Sequence, residues 1–247
     1  MTATLEVRNL SKQFGSVVAA ANINVSVTRG ERLGLIGTNG AGKTTFVNMV
    51  TGYVTPSGGS IALDGVDITG HPPRMINRAG VSRSFQIPQL FQTLAVEQNL
   101  TVALGTAHGY GTHPYKQPDA ALAGMLEELL QRFKLAEHRS QLVFHLSGGV
   151  RKLIDIAIAV TRRPKVLLLD EPTSGVASEQ KFELMDIVMG ALDDDVTVLF
   201  VEHDMEIVAR YAQRVLAFFD GTIIADDVPQ KVLADAKVKT YIVGASA

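Results

Sequence analysis

Gly37-Thr38-Asn39-Gly40-Ala41-Gly42-Lys43-Thr44 is the stretch on which the reading of this chain turns. It fits the pattern G-x-x-x-x-G-K-[ST]. It follows a short apolar run at residues 32–36, read as a strand, and precedes a helix expected over about 42–50 with Gly52 as its stop. The spacing has a mechanical reason. Glycines let backbone N–H groups curl around phosphate oxygens without Cβ clashes, and the helix start adds its positive dipole end. Lys43 can then reach the β- and γ-phosphates of a nucleotide, and the Thr44 hydroxyl can coordinate Mg²⁺. A chance match of this kind occurs in on the order of 1% of chains this long, and the strand–loop–helix context makes chance a poorer explanation still.

Working outward, Ile23, Val25 and Val27 alternate with Asn24, Ser26 and Thr28, the period of a half-buried strand. Residues 60–63 form a further strand, closed by the turn pair Asp64-Gly65. The middle of the chain changes character. Residues 92–104 and 119–135 are expected to be helical, with Leu122, Met125, Leu126, Leu129 and Leu130 on one face. His108-Gly109-Tyr110-Gly111-Thr112-His113-Pro114 connects them. After this come a fully apolar strand at 166–169, a helix carrying Phe182, Met185, Val188, Met189 and Leu192 on one stripe, and a second buried strand at 196–201. A hairpin at 215–225 turns on Asp220-Gly221.

The strand at 166–169 ends in Asp170-Glu171-Pro172. Ligands of open α/β sheets bind at that edge. By itself the tripeptide is as ordinary as a helix-entry turn. Beside a phosphate loop, Asp170 can hold the hydration shell of Mg²⁺ and Glu171 can polarise an attacking water.

Bulk properties narrow the classes. With 46% apolar and 19% charged residues, the 247-residue chain can bury a sizeable core and is not disordered. A net charge of −2 argues against a protein built on a basic nucleic-acid-binding face. Having no cysteine, the chain holds neither disulfide nor thiolate metal site, which is compatible with a reducing cytoplasm. Residues 1–10 carry Glu6 and Arg8 and lack the apolar core of a signal peptide. No apolar run approaches the roughly 20 residues that span a bilayer, so at a membrane another chain would hold this one.

At Leu146-Ser147-Gly148-Gly149-Val150, between the phosphate loop and Asp170, the chain resembles the ABC transporter ATPase family, whose signature is LSGGQ. The tetrapeptide alone would read as a turn; its position in the order of motifs carries the resemblance. The resemblance runs from Leu5 to Gly244. It implies an α/β fold, the P-loop NTPase core of ABC ATPases. That core has a mainly parallel sheet, an N-terminal antiparallel β region and an inserted helical lobe. The whole chain, 1–247, would be one ATPase domain, with core lobe 1–86 and 163–247 and helical lobe 87–162.

The resemblance also assigns roles. ATP and Mg²⁺ are the implied cofactors. Residues Gly37, Thr38, Asn39, Gly40, Ala41, Gly42, Lys43, Thr44 and Thr45 would hold the phosphates. Phe14, 29 residues before Lys43, would stack on adenine, the alternative being a core or hairpin phenylalanine. Gln86 would be the Q-loop glutamine that touches Mg²⁺ and water. Thr44, Gln86 and Asp170 would attend the metal. Glu171, His203 and Lys43 would be catalytic. Ser147, Gly148 and Gly149 would close over the γ-phosphate held by an opposite subunit. The histidines at 71, 108, 113, 138 and 145 match nothing.

Two positions depart from the family pattern: Val150 stands for the signature glutamine, and Ala177 for the usual Asp or Asn of the D-loop. Both would serve the composite site whose phosphate loop belongs to a partner, which raises the expectation of a different partner chain and unequal sites. The partners implied are a second ATPase chain, identical or not, integral membrane permease subunits and, indirectly, a solute-binding protein, with no nucleic acid. The implied place is the cytoplasmic face of the inner membrane, as a peripheral subunit. The segment at 87–99 and the stretch at 238–244 look closest to importers of branched-chain amino acids, whose kin move other amino acids, amides, urea or organic acids. The rivals are a soluble ABC ATPase of DNA repair or translation, whose coiled-coil insertion or tandem cassettes this chain lacks, and a non-hydrolysing scaffold.

Overall fold

The computed structural model describes residues 3–109 and 120–244. Residues 110–114 of the connector, His113 among them, and Asp119 at the expected helix start lie outside the described residues. Two compact units divide the chain. The first holds residues up to Ser82, Lys165–Glu171, and those from Asp194 on; the second holds Arg83–Pro164 and Pro172–Asp193.

In the first unit the chain opens with β1 (Ala3–Phe14) and β2 (Val17–Thr28), an antiparallel pair. The alternation of residues 23–28 comes out as read, with Ile23, Val25 and Val27 buried and Asn24 and Ser26 exposed. Next are β3 (Arg32–Gly37), α1 (Lys43–Val50), β4 (Gly58–Leu63) and β5 (Val66–Asp67). Asp64 and Gly65 both take positive φ, 47° and 78°, as a tight β4–β5 turn requires. There follow α2 (Pro73–Ala79) and β6 (Val81–Ser84). Helices α3 (Val96–Ala107), α4 (Ala120–Arg132) and α5 (Gly148–Val160) belong to the second unit. The chain then gives β7 (Val166–Asp170), α6 (Ser178–Ala191), β8 (Thr197–Val201), α7 (Met205–Tyr211), β9 (Arg214–Phe219) and β10 (Thr222–Asp227).

Among the described residues, one sheet runs β2-β1-β4-β5 and the other β10-β9-β3-β8-β7-β6. In the second, β3 pairs in parallel with β8 and β9, and β7 pairs in parallel with β8. Strands β7 and β8 are buried at every position, which is why they read as unbroken apolar runs. Helix α1 lies against both β2 and β3. Its Phe46, fully buried, meets Phe218 of β9 with ring centroids 5.6 Å apart.

The helical unit differs from the sequence expectation at its element ends. Helix α3 starts at Val96, not 92. The buried Asn99 carboxamide accepts the Phe91 N–H at 2.9 Å and donates to the Phe91 and Ala95 carbonyls at 3.1 and 3.0 Å. That holds residues 91–95 as a loop, and Ala95 bridges to Leu142. Helix α4 stops at Arg132, short of 135, because Lys134 turns to φ 52° and the Leu135 N–H goes back to the Leu130 carbonyl. Helix α6, expected in the core lobe, groups with the second unit, where it packs on α4 and α5. Its buried stripe is Leu184, Met185, Val188, Met189 and Ala191; Phe182 and Leu192 are only partly covered.

Truncating Phe46 to alanine should cost about 3–5 kcal/mol, the range for emptying a fully buried aromatic site. Urea unfolding of the first unit checks this; a loss below about 1 kcal/mol would mean that α1 is not anchored through this ring.

Candidate nucleotide site

Strand β3, buried from Leu33 to Gly37, delivers the glycine loop at its C-terminal end between β8 and β9. Two of its glycines have no substitute. Gly37 sits at φ 153°, and a Cβ there would lie 2.5 Å from the Phe218 carbonyl oxygen. Gly42 caps α1 at φ 105°, and its Cβ would meet the Ala19 carbonyl oxygen at 2.8 Å and the Gly221 Cα at 3.2 Å. Asn39 and Gly40 stand exposed at the tip, and Thr44 is exposed on the first turn of α1.

Lys43 is 5% exposed. Its Nζ donates to the Gly37 carbonyl at 2.6 Å and to the Thr38 carbonyl at 3.1 Å. Burial holds the ammonium below the ordinary lysine value, while the negative charges of Glu171 and Asp170 pull it back up.

Those carboxylates end β7. Asp170 is buried, and the register pairs it with Val201 of β8. Glu171 leaves the strand at φ 46°, in the left-handed region that few non-glycine residues enter. Its N–H donates to the Val201 carbonyl at 3.1 Å. The same strand end leads, two residues on, to His203, whose Nε2 lies 3.1 Å from Glu171 Oε1. Asp204 then caps α7, accepting from the Glu206 and Ile207 amides. The phosphate loop, Lys43, Asp170, Glu171 and His203 thus share one unit and one sheet edge.

A magnesium ion fits the donors here. Asp170 and Thr44 offer hard oxygens, and Mg²⁺ is held through one or two such groups plus phosphates and water rather than in an all-protein cage.

Phe14 is half exposed near the end of the β1–β2 hairpin, so it is not a core residue. Lys12 Nζ lies 4.9 Å from its ring centroid. The hairpin leans on the phosphate loop, since Ala19 of β2 is what fills the space beside Gly42.

The remaining motif residues lie in the second unit. Ser147 is the N-cap of α5, its Oγ accepting the Val150 N–H at 3.4 Å. Gly148 faces the Gly175 carbonyl so closely that a Cβ would be 3.2 Å from it. Ser147, Gly149, Val150 and Val176 line one cavity of about 270 Å³. Ala177 is the N-cap of α6 and has no side-chain acceptor to offer its first turn. The Gln86 carbonyl receives a hydrogen bond from Lys152. Lys152 was no candidate in the sequence, nor was Asp155; the overlooked signal was a carboxylate set in the apolar run Leu153-Ile154-Asp155-Ile156-Ala157.

The chain is similar to known proteins along most of its length. The family model described as ABC transporter matches residues 20–174. The probable branched-chain amino acid transport ATP-binding protein LivG of Archaeoglobus fulgidus is 32% identical over 248 residues, covering 98% of this chain and 95% of that one. The high-affinity branched-chain amino acid transport ATP-binding protein LivG of Escherichia coli K12 is 33% identical over 236 residues, 92% of each chain. Among solved structures, an ATP-binding cassette of an ABC transporter in its ADP conformation superposes with TM-score 0.83 at 29% identity, over 99% of this chain and 100% of that one. The cbiO1 cassette of Clostridium perfringens, part of the ABC transporter complex cbiONQ, gives TM-score 0.82 at 27% identity, over 99% and 98%.

Because Ala177 leaves the α6 N-terminus without a cap, Ala177→Asp should raise stability by about 0.5–2 kcal/mol. Denaturant titration decides it; an unchanged midpoint would show that the first-turn amides of α6 are already satisfied another way.

Proposed function

The chain belongs to the ABC transporter ATPase family and is an ATP-binding, ATP-hydrolysing transporter subunit, and on that premise we propose that it drives import of branched-chain amino acids or related small amino acids, amides or organic acids. The names of the relatives carry the solute class. A soluble ABC ATPase unconnected to transport fits those relatives poorly. Among the described residues no helix is long and apolar enough to cross a membrane. In this reading, permease subunits hold the protein on the cytoplasmic face and a solute-binding protein delivers the cargo.

The observation that carries the catalytic reading is the 3.1 Å contact between His203 Nε2 and Glu171 Oε1 at the sheet edge that holds Lys43. ATP phosphates would enter the glycine loop, and Lys43 would exchange the Gly37 and Thr38 carbonyls for β- and γ-phosphate oxygens. Phe14 would take the adenine ring on its exposed face. Thr44 and Asp170, with Gln86, would hold Mg²⁺, which neutralises charge developing on the phosphates. Glu171 would draw on the proton of the attacking water. His203 would hold that carboxylate in place and reach the γ-phosphate.

A second ATPase chain completes the machine. Its signature would cover this chain's γ-phosphate, and Ser147, Gly148 and Gly149 would cover the partner's, through α5 N–H groups and the serine hydroxyl. ATP favours the closed pair because it bonds both chains only there, and hydrolysis removes that preference.

Two substitutions test the assignment. Lys43→Ala should abolish nucleotide binding, because the phosphates lose the motif's fixed cation; calorimetry that finds near-normal ATP affinity in the folded variant would sink the phosphate-loop reading. Glu171→Gln should keep ATP binding and slow hydrolysis by roughly 10²-fold or more, with ATP-bound pairs accumulating. A wild-type rate in that variant would take the catalytic carboxylate away from Glu171.

A further inference from the structure

Helix α5 buries two ionisable side chains that the ATP machinery does not use. Lys152 is 2% and Asp155 6% exposed, one turn apart on a helix whose Leu153, Ile154, Ile156 and Ala157 are also buried. Charges in such surroundings are retained only where strong hydrogen bonds satisfy them. Both of these direct hydrogen bonds to one short piece of backbone. Lys152 Nζ donates to the Phe85 carbonyl at 2.7 Å and the Gln86 carbonyl at 3.1 Å. Asp155 Oδ2 accepts the Phe85 N–H at 3.0 Å, and its carboxylate also takes the Gln89 amide. Phe85 is therefore gripped through its N–H and its C=O, and the carboxylate closes a loop from 85 to 89 with Gln86 inside it. Burial pushes the Asp155 carboxyl up, and the Phe85 amide and the Lys152 charge hold it back.

The helix that makes this grip is the one capped by Ser147, and it is a single unbroken element of 13 residues. Its N-terminus and its clamp cannot turn independently. We propose that Lys152 and Asp155 are positioning residues: they set Gln86 at this chain's ATP and make the loop follow the signature end of α5. The inference rests on reading Gln86 as the glutamine that touches Mg²⁺ and water and Ser147–Gly149 as the cover of the partner's γ-phosphate. Given that, the clamp lies between two different composite sites. Closure on the partner's ATP moves the Gln86 loop of this chain, so the two ATP sites feel each other, and the coupling acts equally in both directions.

The test uses the transporter purified with its membrane subunits and draws on four variants. The first, Lys152→Met with Asp155→Leu, replaces the pair by apolar side chains of similar bulk, a change buried pairs commonly tolerate. In the isolated subunit it should still fold and bind ATP, which shows that the phosphate loop is intact. In the complex its turnover should fall about tenfold or more, and the Hill coefficient for ATP should drop toward one. Lys152→Arg, which keeps a donor to both carbonyls, should restore turnover and cooperativity. A folded double variant with wild-type turnover and Hill coefficient overturns the inference. Should the double variant not fold, Asp155→Asn decides, being isosteric. Amide exchange over residues 85–89 should quicken about tenfold or more in it while α5 itself stays protected, and unchanged exchange over 85–89 overturns the clamp. Gln86→Ala separates this from the reading beneath it. Full turnover in Gln86→Ala refutes the role of Gln86 itself, whereas loss in Gln86→Ala with none in the double variant refutes only the clamp.

Discussion

The ammonium of Lys43, 5% exposed and bonded to the carbonyls of Gly37 and Thr38, is the constraint around which the first unit is organised. A buried cation needs partners, and here the loop supplies carbonyls while the end of β7 supplies the fields of Asp170 and Glu171. To bring the two together, β3, β8 and β7 must run parallel and side by side, so that their C-terminal ends open on one edge. The loop can pass that edge only if Gly37 and Gly42 lack Cβ atoms, since Phe218 and Ala19 occupy the space. The result is a loop whose own carbonyls satisfy the ammonium.

Much of this unit was legible in the sequence, although β1, α2, β6 and α7 were not among the elements read there. Its strands are either fully buried, giving runs such as Val166-Leu167-Leu168-Leu169, or half-buried, giving the alternation at residues 23–28, and both patterns are local. Its chemistry is also local, since the phosphate loop, Asp170-Glu171 and His203 each follow a strand directly. The contact between Glu171 and His203 was not local, but the parallel register of β7 with β8 brings it about without further information. The helical unit was less legible. The start of α3 is set by Asn99, a buried side chain that works backward on residues 91–95, and propensity gives no hint of that. The place of α6 was missed because its buried face answers to α4 and α5, not to its neighbours in sequence. For Phe14 the structure removes the core alternative by exposing the ring and keeps the hairpin one, since Phe14 pairs with Val17 beside the β1–β2 turn.

The second unit follows a different logic. Its motif residues carry no charge that must be neutralised at home: Ser147 and the glycines after it present a helix start, and Ala177 stands at another. Ionisable side chains appear in its interior at Lys152 and Asp155, and both bond the backbone at 85–89. A unit that offers a helix end outward and grips a loop inward is suited to relay a partner's state. The first unit, with cation, carboxylates and histidine on one edge, is suited to do the chemistry. Val150 and Ala177 depart from the family pattern only on the relaying side, leaving Lys43, Asp170, Glu171 and His203 intact.

The central claim is that this chemistry is harnessed to a membrane partner. ATP turnover by the wild-type protein, measured alone and again in complex with its membrane subunits in lipid, tests it most directly. The account predicts hydrolysis in both states, raised in the complex and raised further by the solute-loaded binding protein. Hydrolysis that is indifferent to the membrane subunits, or absent from the intact complex, would contradict it.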